Sequence, residues 1–78
     1  MDLGHNRIGD DGAQALAAST ALTKLTSLNL GWNYIGAVGA KALAASKTLT
    51  NLTFLDLGNN YIGDNDIKAI KTRYPFAS

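Results

Sequence analysis

Residues 25–46, LTSLNLGWNYIGAVGAKALAAS, hold one structural period of the chain and decide its fold. Leu28-Asn29-Leu30 alternates apolar and polar side chains, the period-2 pattern of a short half-buried strand. Gly36 punctuates a turn. Val38-Gly39-Ala40-Lys41-Ala42-Leu43-Ala44-Ala45 follows, and alanine and leucine at that density predict helix. About ten residues are too few for a helix that stands alone, so this one must lean on neighbours.

Those neighbours are copies of itself. Shifted by 27 positions, the chain overlays its own sequence without a slip of register. Leu3, Gly4, Asn6, Ile8, Gly9 and Gly12 return as Leu30, Gly31, Asn33, Ile35, Gly36 and Gly39. Ala13, Ala15, Leu16, Ala17, Ala18 and Ser19 return as Ala40, Ala42, Leu43, Ala44, Ala45 and Ser46, and the agreement extends to Leu22, Thr23, Leu25 and Thr26. A third copy opens at Leu55 with Leu57, Gly58, Asn60, Ile62 and Gly63, then diverges. The expected organisation is a single domain, 1–78, with units 1–27, 28–54 and 55–78 and a cap-like helix over 64–73. Each unit is a strand, a turn and a helical return. Stacked, the units set parallel strands about 4.8 Å apart with the helices on the other side. Helices take more room than strands, so the expected fold is α/β: a short curved solenoid, sheet concave and helices convex.

Composition narrows the function. Seventy-eight residues allow one small domain. Lysine and arginine total 7 against 6 acidic residues, a net charge of +1 that supplies no basic stripe for nucleic acid and no polybasic patch for a membrane surface. The absence of cysteine removes disulfides, zinc-thiolate sites and thiol nucleophiles. Neither a secretory signal nor an apolar run long enough to span a bilayer is visible, so the expected location is cytoplasmic. A chain this short rarely buries a sufficient core without a staple, a metal or a partner.

The run Leu25-x-x-Leu28-x-Leu30-x-x-Asn33-x-Ile35, repeated as Leu52-x-x-Leu55-x-Leu57-x-x-Asn60-x-Ile62, resembles the leucine-rich repeat pattern. The first unit keeps Leu3, Asn6 and Ile8, with Met1 in place of the leading leucine. The helical return Gly-Ala-x-Ala-Leu-Ala, at 12–17 and 39–44, is similar to the ribonuclease-inhibitor-like subclass and to alanine-rich repeats of bacterial effector proteins. The resemblance implies a ladder of Asn6, Asn33 and Asn60, each amide bonding backbone of adjacent turns. It also implies a protein partner, and it raises delivery of a bacterial protein into a host cell as an alternative location.

In such proteins the exposed strand positions carry the binding surface. Here they form rows: Asp2, Asn29 and Asp56; then Gly4, Gly31 and Gly58; then His5, Trp32 and Asn59; then Arg7, Tyr34 and Tyr61; with Phe54 at the strand entry. Trp, Tyr and Arg are enriched in interface hot spots. The expected function is therefore a protein–protein interaction module with an aromatic and polar concave face, part of a longer repeat protein or effector. The alternative is a purely structural C-terminal capping segment of a longer solenoid.

Catalysis finds little footing. His5 shares a face with Asp2 but has no serine or cysteine nucleophile beside it. No cofactor or metal is expected: no phosphate-cradling glycine loop occurs, and Asp64-x-Asp66 is too short for a calcium loop. Asp10, Asp11, Asp64 and Asp66 fall where chains enter helices and are expected to cap them. At the C-terminal end, Lys68, Lys71 and Arg73 replace alanines on the outer helix, and Tyr74-Pro75-Phe76 stops it. The N-terminal unit has no such cover for Leu3, Ile8 and Leu16, which leaves an apolar edge suited to self-association.

Overall fold

A computed structural model describes residues 1–78. In chain order it comprises α1 (Gly9–Ala18), a 3-10 turn (Thr20–Leu22), β1 (Ser27–Asn29), α2 (Ala37–Ala44), β2 (Phe54–Asp56) and α3 (Asp64–Arg73). β1 and β2 pair in parallel, Leu28 opposite Leu55, and α2 bridges them. Of the three strands expected, the first is reduced to a single parallel bridge, Asp2 to Asn29. Its hydrogen bonds keep the ladder pattern: Leu3 N–H donates to the Asn29 carbonyl (2.9 Å) and Asn29 N–H to the Met1 carbonyl (2.9 Å).

The alternation read in the sequence is what the strands do. Leu28, Leu30, Leu55 and Leu57 turn inward and are buried, while Ser27 and Phe54 on the opposite face are exposed. Ile35, Ala40, Leu43, Leu49 and Leu52 close the core from the turn, α2 and the return segment. Each fully buried leucine or isoleucine contributes about 1.5–3 kcal/mol. The corresponding first-unit residues, Leu3, Ile8, Leu16, Leu22 and Leu25, are only partly buried against this core. Leu3, Ile8 and Leu16 line a shallow apolar hollow with Gly12, Ala15 and Ser19.

Small residues set the distance between helices. A Cβ at Gly39 would sit 2.8 Å from Ile35 Cγ2, 2.9 Å from Ala13 Cβ and 2.8 Å from Asp10 Oδ1, so α1 and α2 can approach this closely only over a glycine. The aspartates depart from the expected capping. Asp10 does not cap its own helix; its Oδ1 reaches across to accept Gly36 N–H (2.7 Å) and Gly39 N–H (2.8 Å) at the start of α2. That satisfies two orphan donors and meets the positive end of α2 with a carboxylate. Asp11, Asp64 and Asp66 make no side-chain cap. Position 37, one period after Asp10, is alanine, which cannot do the same for α3.

The opposite ends of the helices are also joined across units. Ser46 Oγ (2.6 Å) and Thr48 Oγ1 (3.0 Å) donate to the Ala17 carbonyl near the end of α1. Tyr74 Oη donates to the Leu43 carbonyl of α2 (2.8 Å), and Arg73 Nη2 to the Ser46 carbonyl (3.0 Å). The tail then folds back: Tyr74 and Ala77 are buried, Ser78 N–H donates to the Leu55 carbonyl (2.9 Å), and Leu57 N–H donates to the Ser78 carbonyl (2.7 Å). The outer edge of β2 is thereby occupied by the chain itself.

Candidate functional site

The turn leaving each strand is built on an asparagine. Asn33 is fully buried; its Oδ1 accepts Asn6 N–H (2.9 Å) and Ile8 N–H (3.2 Å), and its Nδ2 donates to the Leu3 (2.7 Å) and Gly31 (3.1 Å) carbonyls. Asn60 repeats this one unit on, accepting Asn33 N–H (2.9 Å) and Ile35 N–H (3.0 Å) and donating to the Leu30 carbonyl (2.9 Å). The Asn6 side chain bonds only within its own turn, Nδ2 donating to the Leu3 and Gly4 carbonyls.

This arrangement dictates the backbone on either side. Aiming the N–H groups of residues i and i+2 at one oxygen puts the residue between them in the left-handed region, as in anion-binding nests. Arg7 (φ 53°) and Tyr34 (φ 58°) lie between such pairs, and His5 (φ 61°), Trp32 (φ 58°) and Asn59 (φ 59°) precede the asparagines in the same conformation. Tyr61, whose flanking N–H groups meet no further asparagine, does not adopt it. Left-handed backbone costs a non-glycine residue about 1–2 kcal/mol, offset here by the asparagine bonds.

The consequence is a patterned surface. His5 stacks on Trp32 with ring centroids 5.4 Å apart and planes inclined by 11°. Tyr34 stacks on Tyr61 at 5.8 Å and 28°. A hollow of about 410 Å³ opens between these ridges, with Arg7, Asn59 and Asn60 completing its lining. The rings stay accessible, Trp32 54%, Tyr34 56% and Tyr61 72% exposed.

On the other side of the His5–Trp32 ridge lies a second hollow of about 360 Å³, floored by Gly4, Gly31 and Gly58 and flanked by Asp2, Asn29 and Asp56. The polar row is partly engaged: Asp2, Asn29 and Asp56 each turn Oδ1 back to the N–H two residues on, at 3.0, 2.9 and 2.8 Å. The glycines follow from these bonds, since a Cβ at Gly58 would press to 3.1 Å of Asp56 Oδ1 and one at Gly31 to 3.3 Å of Asn29 Oδ1. Each carboxylate or amide retains polar capacity toward solvent.

Nine of the ten residues singled out in the sequence line one or other hollow. Phe54 lines neither; it stands exposed at the start of β2. Two contributors were not singled out. Asn60 lines the aromatic hollow while holding the ladder, and Asp10 sets the start of α2 from the neighbouring unit. In the sequence Asn60 reads as a ladder rung and Asp10 as a cap of its own helix; the partners of Asp10 lie about one period away in sequence, beyond any local signal. His5 faces Trp32 and Asp2 bonds Gly4, so the two are not joined as a base and its orienting carboxylate. No three histidine, cysteine or acidic side chains converge as metal ligands. No helix is long and apolar enough to cross a membrane.

Compared with known proteins, the chain is matched by the family model described as Leucine Rich repeat over residues 1–17, 21–44 and 48–71. No curated protein matches it.

Proposed function

The chain belongs to the leucine-rich repeat family, and from that membership we propose that it is a protein-binding module working through the aromatic and polar face of its strands. Repeats of this family generally mediate protein–protein interaction and are typically not enzymes. The observation that carries the reading is the pair of exposed ring stacks, His5–Trp32 and Tyr34–Tyr61, on turns fixed from below by buried amides. Rings that served only to cover the leucines would not need to stand more than half exposed above Leu30 and Ile35, which are already fully buried. Preset side chains lose little freedom on binding. In this reading the face is the concave side of a curved, ribonuclease-inhibitor-like stack, and Asp2, Asn29, Asp56, Asn59 and Arg7 supply polar selectivity around the aromatic centre. An effector role inside a host cell is compatible with such a module.

The test is selection of peptides from a random library on the folded chain, followed by titration against Trp32→Asn and Tyr34→Asn. Asparagine tolerates left-handed backbone, and Asn59 already occupies the position equivalent to Trp32. We expect at least tenfold weaker binding with unchanged circular dichroism. Ligands indifferent to both substitutions would refute the face.

A second reading rests on the two ends. With the β2 edge occupied by Ser78, copies of the chain cannot stack head to tail through their sheets. Self-association is then face to face through Leu3, Ile8 and Leu16, a two-fold arrangement. The same closed C-terminal end suits a capping segment that binds nothing itself. Light scattering across concentration separates them: a dimer that Leu16→Lys dissolves supports self-association, and a monomer at every concentration removes it.

A further inference from the structure

We infer that the aromatic hollow takes a proline-rich segment in the polyproline II conformation, with an acidic residue beside it; this rests on the binding reading above and names its partner class. Three features of the hollow point there. The first is shape: two parallel ring stacks leave a furrow between them, and the rings already cover one another's inner faces. A ridged ligand that drops pyrrolidine rings between aromatic walls finds a slot, the mode by which proline-rich segments are commonly held.

Length is the second feature. The lining runs from His5 and Arg7 in the first unit to Asn59 and Tyr61 in the third, two strand spacings or about 9.6 Å. One turn of polyproline II, three residues, rises about 9.3 Å. The furrow therefore accommodates one turn, with its first and last prolines over the outer units.

Chemistry is the third. The residues lining the furrow bring an indole N–H (Trp32), two phenol hydroxyls (Tyr34 and Tyr61) and an amide (Asn59), and none of them carries a carboxylate. Such a surface is rich in donors, and a polyproline II backbone offers solvated carbonyls without competing N–H groups at proline. Arg7 is the one permanently charged group in the lining, so a carboxylate at the first-unit end of the segment completes the match.

The experiment uses Trp32, the only tryptophan of the chain, as reporter. The full chain is titrated with acetylated octaproline followed by two aspartates, with the same peptide ending in two serines, and with a glycine–serine peptide ending in two aspartates. We expect a saturable change in Trp32 emission with the first, about fivefold weaker binding of the second, and none with the third. Arg7→Gln should erase the difference between the first two, an effect the size of an exposed ion pair. Tyr34→Asn should weaken both at least tenfold. Unchanged Trp32 emission with both proline peptides up to about 1 mM overturns the inference. So does a saturable shift with an oligosaccharide or a single-stranded oligonucleotide but not with proline. If library-selected ligands without proline still lose affinity in Tyr34→Asn, the proline assignment falls and the binding face stands. If no peptide of either kind responds to Tyr34→Asn, both fall.

Discussion

Replacing Asn33 with alanine removes four side-chain hydrogen bonds, three of which join the first two units. Two backbone N–H groups, of Asn6 and Ile8, lose their acceptor, and the Leu3 and Gly31 carbonyls lose a donor. The bond to Gly31 is wholly buried, but that carbonyl keeps the His5 N–H at 3.0 Å; the main cost falls on the Asn6 and Ile8 N–H groups, since stranding a buried polar group costs about 1–3 kcal/mol. The other three are partly buried, so water can replace some of the loss, and Leu3 still receives Asn6 Nδ2 at 3.0 Å. A total of about 3–5 kcal/mol follows. A domain of this size has about 4–12 kcal/mol in all, so Asn33→Ala should remove a large share of its stability. With a urea slope near 2 kcal/mol per molar, the midpoint should fall by about 2 M, followed by circular dichroism. Asn6→Ala is the internal control. It has the same chemistry and the equivalent position, but its two bonds stay within its own exposed turn, so it should cost about 0.5–1.5 kcal/mol. Equal losses in the two variants would show that bridging between units contributes nothing, and the account of the ladder would be wrong.

Three further outcomes follow from the contacts between units and at the C-terminal end. Asp10→Ala should cost about 1–2 kcal/mol and speed amide exchange at Gly36 and Gly39, in the next unit and not its own; unchanged exchange there would refute the cross-unit cap. Gly39→Ala should lower the unfolding free energy by about 1–3 kcal/mol through contact with Ile35 and Ala13, seen as a lower urea midpoint, whereas Gly63→Ala, with open space around it, should be neutral or slightly stabilising. Burial raises the Tyr74 phenol above its ordinary pKa of 10.0, partly countered by the Arg73 guanidinium 4.8 Å over the ring. A raised folded value means the stability from the neutral phenol is complete below the unfolded pKa and is lost as pH climbs from about 10 through the folded value. Thermal melts should therefore weaken above about pH 10 in the wild-type chain and less so in Tyr74→Phe.

Much of this was legible because repetition amplifies weak local signals. Leu28-Asn29-Leu30 alone is a three-residue hint, but its return at Leu55-Asp56-Leu57 places both strands and their buried faces. The row arrangement of His5, Trp32, Tyr34 and Tyr61 followed from register, and the ring stacks lie along those rows. What was hidden lies off the period or across it. Asp10 reads as an ordinary first-turn acid of α1, since nothing local reveals that its acceptor faces another helix. The tail from Tyr74 to Ser78 has no counterpart in the earlier units, so its return to the edge of β2 had no template. The first strand, expected from the same register, is a single bridge from Asp2 to Asn29.

The left-handed turns also restrict the chemical alphabet of the surface. At positions 5, 7, 32, 34 and 59 the backbone itself rejects valine, isoleucine and threonine, whose branched Cβ atoms are the least compatible with positive φ. Asparagine and histidine tolerate this conformation best, as at Asn59 and His5, while Arg7, Trp32 and Tyr34 at least carry no branch at Cβ. Position 61 escapes the filter, so it is where a branched aliphatic side chain can enter the face and retune its specificity without disturbing the turn beneath.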